Sequence, residues 1–557
     1  MTIQTNIATI LTNQKYIFIY SSKNDSFFCL DCFKERTKEL KSYQQYFGWQ
    51  EDRPNRLESE IIDTLVQKLQ TNSEPFLYEI NRDTLEIQAK ATFKRGDCQC
   101  NVDTGSNRPQ ELDTLFNAKD NRQLSFEQVR EKIERNKKLI YAHPSSIVNA
   151  LARSGDSYGT PMVQTEVSYK GISMLSYGRT GTYEKSKYIS ILESLERYAT
   201  AFPYKKQKTA MREKDSEMID LTLSEVMVQC NYGNPENYSE DQPLNYEKVW
   251  ALHSERDVLI PEQLIYYNSH VVSNEKRYIY ESSNGSALGS TEAEASLHAM
   301  LELIERDAFL ATWYGQIPPV RIDESSIHSK KIQAYLDSLK QKNIRVHLFD
   351  ISMEVKIPTI WVLLEKEEPK ENEMAFYTAA AASFDLEESI ERALIEATTA
   401  ITVFTNVFNN EDYQTRKRQL LDNPQSVHKL EDHLLLYSNK EMKYAFSFAL
   451  NTEMVSSYEQ LEAGYTVYQG KFSEVVRTLE GQLVDISGKA YRAMTENPNL
   501  FSAGFVNVKY IVPGMLTMTF GHQNRRVVSQ RIEKAIQFKK KGKLDKDWIE
   551  KTPHPFP

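Results

Sequence analysis

Three long stretches carry apolar and charged positions at the 3.6-residue period of a helix: KSKYISILESLERYATAF (185–202), STEAEASLHAMLELIERDAFLATWY (290–314) and DLEESIERALIEATTAITVF (385–404). Ser290 or Thr291 can cap the second, with Glu292 and Glu294 in its first turn, and Asp385 opens the third. A shorter helix is predicted over LSFEQVREKIERNKKLI, beginning at Ser125. YIFIY, IRVHLFDI and TIWVLLE are short runs rich in β-branched and aromatic residues, and read as strands. RGDCQCNVDTGSNRPQELD (95–113) is polar and turn-rich, so it reads as a linker. Residues 1–136 therefore form a region of their own. From 137 to 557 helices and strands alternate, with no solenoid period.

Bulk properties narrow the class. The 557 residues are 26% charged and 40% hydrophobic with a formal net charge of −9. That is globular composition, with no global attraction to nucleic acid or to an anionic membrane. No basic start followed by a long apolar run suggests a secretory signal, and no apolar run reaches membrane-spanning length. Five cysteines do not make a disulfide framework. A cytoplasmic location is the expectation.

Glu-x-x-Glu-Arg occurs twice in apolar frames, in LESLERYA (192–199) and LELIERDA (301–308). On a helix Glu302 and Glu305 share a face, as do Glu193 and Glu196, and Glu294 falls on the face of Glu302. One copy alone describes equally well a solvated helix face with intrahelical ion pairs. Five carboxylates beside apolar stripes instead ask for cations, and oxygen ligands without His or Cys suit Mg²⁺, which usually also holds substrate phosphates. No phosphate loop of the Gly-x-x-x-x-Gly-Lys-Ser/Thr type and no kinase HRD/DFG pair is present.

These segments resemble the YcaO family. The similarity is carried by SSNGSALGSTEAEASLHAMLELIERDAF (282–309), GRTGTYEKSKYISILESLERY (178–198), FDISMEVKIPTIWVLL (349–364), DLEESIERALIEA (385–397) and VPGMLTMTFGHQNRR (512–526), in family order over about 420 residues. The resemblance implies an α+β, ATP-binding fold of mixed sheets with flanking helices, unlike that of kinases. It makes Glu193, Glu196, Glu302 and Glu305 ligands of Mg²⁺ and sets Glu294 at the nucleotide or metal. Arg306 and Arg392 then lie at phosphate oxygens, where a planar guanidinium pairs well, and Asn284 and Ser290 around the nucleotide. The chain departs from the family at Gly289-Ser290-Thr291, where many members have Gly-Asn-Thr, and at Ile189, where many have serine.

Family members activate a backbone amide: a nucleophile adds to the carbonyl carbon, ATP phosphorylates the oxygen, and phosphate leaves. Cys, Ser or Thr as nucleophile gives an azoline; sulfide gives a thioamide and an amine an amidine. The ending KTPHPFP resembles the Pro-x-Pro-x-Pro terminus of azoline-forming members, which sets Pro553, Pro555 and Pro557 at the catalytic site. Alternating prolines hold an extended tail of low entropy. The implied enzyme is an ATP-dependent peptide cyclodehydratase of ribosomal peptide natural products, of the thiopeptide or thiazole/oxazole-modified microcin kind. A thioamide- or amidine-forming enzyme and a non-catalytic scaffold are the alternatives.

Cys29, Cys32, Cys98 and Cys100 supply four thiols in two pairs, the number a structural zinc site needs; four unrelated thiols are the other reading. CLDCFKERTKELKSYQQYFGW (29–49) weakly resembles the zinc-bound, E1-like remnant that precedes the YcaO part in many fused cyclodehydratases. Residues 1–136 are too few for both that module and a leader-binding winged helix. The implied partners are a precursor peptide, a separate E1-like leader-binding protein and often a flavin-dependent azoline dehydrogenase; homodimers are common in the family. No flavin-binding glycine fingerprint is visible.

Overall fold

The computed structural model describes the chain except residues 6, 22–28, 72–76, 92–93, 97, 99–107, 158–159, 205–215, 231–237, 239–243, 274, 372, 408–410 and 557. Cys100 and Pro557 lie outside the described residues. Each helix predicted from periodicity is present, and the expected α+β architecture of mixed sheets is observed.

An antiparallel meander opens the chain: β1 (Thr2–Gln4), β2 (Ala8–Thr12), β3 (Tyr16–Ser21), β4 (Leu77–Asn81) and β5 (Ile87–Lys90), in that spatial order. Helix α1 (Leu30–Glu39) and helix α2 (Arg56–Thr71) lie between β3 and β4 in sequence. Ile17 and Ile19 point to a cluster with Ile62 and Leu65 of α2, while Tyr16 and Phe18 join Phe33 of α1. Strand alternation thus divides one sheet between two helix contacts. Arg36 of α1 is fully buried and donates to the carbonyls of Ser146, at 3.0 Å, and Ser168, which fastens this region to the next.

Helix α3 (Phe126–Arg135) starts at Ser125 with a reciprocal capping box to Gln128. Its Ile133 packs with Tyr188 and Leu195 of helix α4 (Tyr183–Ala201). Helix α4 lies on the three-stranded sheet β6 (Ala150–Ser157), β7 (Thr160–Tyr169) and β8 (Ile172–Arg179). Ser190, one position after Ile189, is spent here: its hydroxyl lies 2.6 Å from that of Thr165 and donates to the Ser176 carbonyl. Ile189 is partly exposed.

Two five-stranded sheets enclose helix α5 (Glu292–Tyr314). The order in one is β10 (Arg256–Pro261), β9 (Tyr246–Ala251), β17 (Tyr491–Met494), β18 (Val506–Ile511), β11 (Ser286–Gly289); in the other it is β15 (Phe376–Ala382), β14 (Thr359–Lys366), β13 (Ile344–Asp350), β12 (Val320–Ile322), β16 (Val455–Ser456). The cap of α5 is Thr291, whose hydroxyl accepts from the Glu294 N–H at 3.1 Å. Strong apolarity around the whole of α5 explains its central position. Phe309 and Trp313 lie among Trp361, Phe446 and Phe448, rings whose truncation typically costs about 3–5 kcal/mol. Helix α6 (Leu386–Val407) packs on β14 and β15 and reaches β6 and β8.

Gly178 permits the closest approach in this arrangement. A Cβ there would stand 1.8 Å from the Ser186 carbonyl oxygen of α4. Gly178→Ala is therefore expected to push α4 off β8 and to lower unfolding free energy by about 3 kcal/mol or more, read as a fall in the denaturant midpoint.

Candidate active site

Helices α4 and α5 bring their glutamates to one crevice, and each of four carboxylates accepts a backbone N–H from a different part of the sheets. Glu193 takes the N–H of Tyr177 in β8 at 3.0 Å, and Glu196 that of Leu288 in β11 at 3.2 Å. Glu302 takes that of Gly285 at 2.8 Å, and Glu305 that of Ala382 in β15 at 3.2 Å. Gly285 has φ +69°, and a Cβ on it would stand 2.8 Å from both the Leu303 side chain and the Tyr510 carbonyl, so the turn that meets Glu302 needs glycine.

The second oxygens face cations or the crevice. Arg197 donates to Glu193 at 2.8 Å; Arg306 lies 3.5 Å from Glu302 and 3.7 Å from Glu305. Loss of hydration, with Glu302 and Glu193 nearby, raises the Glu196 pKa to about 8. Loss of hydration also raises Glu305 to about 8, opposed by Arg306 and reinforced by Glu396, and raises Glu302, again against Arg306. Among the described residues no three of these acids gather their oxygens within 4.8 Å. The arrangement is an open rim of carboxylates rather than a closed cage. Mg²⁺ bound through one or two carboxylates and sharing its other positions with water and phosphate oxygens suits such a rim.

Glu294 lies on the same helix but some 12 Å up the axis from Glu302, at about 1.5 Å per residue. It is buried at the helix start, 3.1 Å from Arg122 and 3.3 Å from the Gln123 N–H. The Glu292 N–H is capped by Glu111 at 2.8 Å. Residues 108–123 thus strap the beginning of α5. Ser290 is buried beside this cap. Asn284 is also buried, with its amide committed to the Met518 carbonyl and the Ser282 hydroxyl, both at 2.5 Å; it supports the turn rather than lining the crevice. Arg392 lies on α6, 3.4 Å from the Ala382 carbonyl.

Sequence reasoning passed over Glu396, one helical turn beyond Arg392 and electrostatically coupled to Glu305; the i, i+4 spacing was its signal. Arg122 and Gln123 had none, being more than 170 residues away from Glu294 in the chain. Behind Glu302, Glu281 is held by a bidentate Arg526 at 3.0 and 3.1 Å and by Lys509 at 3.5 Å.

The final residues are buried at this crevice. Tyr437 donates its hydroxyl to the Pro553 carbonyl. His433 accepts from the Gly521 N–H at 3.1 Å, so its Nδ1 carries the proton and donates to the His554 carbonyl at 2.7 Å. The two imidazoles stack at 4.2 Å, and burial holds both pKa values down, that of His433 to about 4. Phe556 packs on Phe309, and Arg306 covers its ring at 5.0 Å. Pro553 and Pro555 are buried on either side of His554.

In the amino-terminal region Cys29, Cys32 and Cys98 place their sulfurs within 4.8 Å of one another, with Cys29 and Cys98 3.7 Å apart. That is too far for a disulfide and close to the edge, about 3.8 Å, of a tetrahedron with Zn–S of ~2.3 Å.

Comparison with known proteins bears on the family and the fold. A family model described as YcaO cyclodehydratase, ATP- and Mg²⁺-binding, matches residues 177–516. A solved heterocyclase in complex with substrate and cofactor superposes with a TM-score of 0.71 at 16% identity, covering 98% of this chain and 77% of that one. The heterocyclase TruD gives 0.63 at 16% identity, covering 98% and 75%. At that identity the likeness is one of fold. An uncharacterized protein of Methanothermobacter thermautotrophicus is 22% identical over 186 residues, 33% of this chain and 46% of its own length. Another, from the tfuA 3′ region of Rhizobium leguminosarum bv. trifolii, is 31% identical over 87 residues, 15% and 21% of the two chains. The chain thus spans less than half the length of these relatives. Among the described residues no helix is long and apolar enough to cross a membrane.

The raised carboxyl pKa values fix a pH trend. Glu196 and Glu305 are protonated more readily in the folded chain than in the unfolded one, so their effect on stability is most favourable below about pH 4.5 and is lost as pH rises through about 8. Buried Glu247, also raised to about 8, adds to it. The melting temperature of metal-free protein should fall from pH 5 to 8, and Glu196→Gln should flatten that fall.

Proposed function

The chain belongs to the YcaO cyclodehydratase family, and we propose that it is an ATP- and Mg²⁺-dependent enzyme that converts Cys, and also Ser or Thr, residues of a ribosomal precursor peptide to azolines. The observation that carries this reading is the carboxylate rim itself, oriented by four backbone N–H groups, with Arg306 between the rim and the buried PHPFP tail.

Glu193, Glu196, Glu302 and Glu305 would hold the magnesium, which supplies charge neutralisation around the phosphates. Their N–H bonds each occupy one carboxylate oxygen and resist collapse of the rim. Arg306 and Arg392 neutralise phosphate oxygens, and Glu294, with Ser290 beside it, marks the nucleoside end of α5. The peptide's thiol or hydroxyl adds to the preceding amide carbon. The carbonyl oxygen takes the γ-phosphoryl group of ATP, and the C–O bond then breaks with release of phosphate as the nitrogen loses its proton and forms C=N. Phosphate leaves far more readily than hydroxide, so the protein's part is positioning and charge stabilisation. The buried tail packs on Arg306 through Phe556, and Pro553, Pro555 and Pro557 are assigned to arranging the site.

We assign residues 137–557 to this chemistry and residues 1–136 to its support, with zinc on Cys29, Cys32, Cys98 and Cys100. A precursor peptide and a separate E1-like leader-binding protein are the partners this reading requires; the tail favours azoline over thioamide or amidine formation.

Purified protein with precursor and partner should release phosphate from ATP and remove 18 Da per ring. Glu305→Gln and Arg306→Ala should each lower the rate about 100-fold or more, and deletion of 553–557 should lower turnover much more than nucleotide affinity. Phosphate release with no mass loss would refute azoline formation. Metal analysis should find one zinc per chain, lost in Cys29→Ser together with thermal stability; a zinc-free wild type of equal stability would refute the site.

A further inference from the structure

Lys94, Arg95 and Cys98 belong to the turn that delivers one arm of the cysteine cluster. The Cys98 N–H donates to the Arg95 carbonyl at 3.2 Å, and the Cys98 sulfur comes to 3.7 Å from that of Cys29. The Arg95 N–H donates to the Cys32 sulfur at 3.3 Å. Cys29 and Cys32 stand at the start of α1, where unpaired helix N–H groups favour thiolates over thiols. The Arg95 guanidinium binds Glu39, the last residue of α1, at 2.6 Å, so both ends of that helix meet this turn.

Asn499 holds the same turn from 405 residues away. It lies in the short helix Pro498–Ala503 and is buried. Its Oδ1 accepts the Lys94 N–H at 3.0 Å, and its Nδ2 donates to the Lys94 carbonyl at 2.8 Å. Nδ2 also donates to the Tyr198 hydroxyl at 3.3 Å, and Tyr198 is on α4, two residues after Glu196. Both amide hydrogens are thus used, which fixes the orientation of the side chain. The Lys94 carbonyl and the Arg95 N–H belong to one planar, trans peptide unit and point in opposite directions. Holding the oxygen on one side aims the N–H at the Cys32 sulfur on the other, and a bonded carbonyl makes that N–H a stronger donor.

We propose that Asn499 is a positioning residue of the amino-terminal metal site: through one peptide plane it sets the N–H that bonds the Cys32 thiolate and the turn that presents Cys98. The inference rests on the metal assigned to these cysteines above and is independent of the azoline chemistry. Groups that orient metal ligands from outside commonly change metal affinity by about 10- to 100-fold when removed. Without the Asn499 amide the buried Lys94 N–H and carbonyl lose their partners, and the turn is free to draw Cys98 away from the other sulfurs. The same amide touches α4, so a metal at the cysteines is linked by hydrogen bonds to the helix that carries Glu193 and Glu196.

Co²⁺ is the probe, titrated into metal-free full-length protein and followed by the visible absorption of thiolate-bound, tetrahedral Co²⁺. Zn²⁺ affinity is taken from competition with a chromophoric chelator. Asn499→Ala should weaken both metals about tenfold or more and shift the Co²⁺ bands. Asn499→Asp, which keeps an acceptor but loses both N–H donors, should weaken them as alanine does. Leu339→Ala, a truncation in another cluster of the core, should lower the denaturant midpoint yet leave metal affinity within about threefold, which separates positioning from loss of stability. Where the Asn499 variants fail to fold, wild type serves: Zn²⁺ should slow solvent exchange of the Arg95 amide about tenfold or more. An Arg95 amide indifferent to Zn²⁺, or Asn499→Ala binding Co²⁺ as tightly as wild type with unchanged bands, would overturn the proposal alone. A wild type with no thiolate–Co²⁺ absorption would refute the metal site and this inference with it.

Discussion

The structure turns on a division of labour within single carboxylates. Glu193, Glu196, Glu302 and Glu305 each use one oxygen to accept an N–H from a sheet or its entry turn; the second oxygen of Glu193 takes Arg197, and those of Glu302 and Glu305 lie beside Arg306. A carboxylate near like charges would otherwise rotate to solvent or take up a proton. The N–H bond opposes both and ties two helices to three sheets at one place. Close backbone approach is a condition of this, which is why Gly178 and Gly285 stand where α4 meets β8 and where α5 meets the turn before β11.

Around this rim the chain's distant ends meet. The strap of residues 108–123 closes on the start of α5 through Arg122, Gln123 and Glu111. The tail closes on its middle through Phe556 and Arg306. Neutral histidines hold the tail by hydrogen bonds to main-chain carbonyls, so it is secured by direction and burial rather than by charge. Charge near Arg306 is thereby left to the glutamates and to whatever anion binds.

The amino-terminal sheet is joined to the rest of the chain by polar contacts at buried positions. Arg36 projects from the helix that also carries Cys32, and Asn499 exchanges two hydrogen bonds with the Lys94 backbone at 3.0 and 2.8 Å. The three clustered sulfurs flank these attachments in the chain, Cys29 and Cys32 just before Arg36 and Cys98 just after Lys94. A metal bound there would stiffen the segments that bear both.

Helical periodicity and capping residues sufficed for α3 to α6, and the repeated Glu-x-x-Glu-Arg pointed to the rim, because neighbours on a helix face are fixed by local geometry. The same reasoning put Glu294 on that face, eight residues from Glu302, without its partners Arg122 and Gln123, and it chose Asn284, whose amide is consumed by a turn 234 residues away. The partners of Glu294 and the covering of Arg306 by Phe556 depend on which sheets pack on which helices. Local sequence determines which residues share a helix or strand face; only the packing of those faces decides which distant charges meet and which stay unpaired, since that depends on through-space distance and exclusion of water.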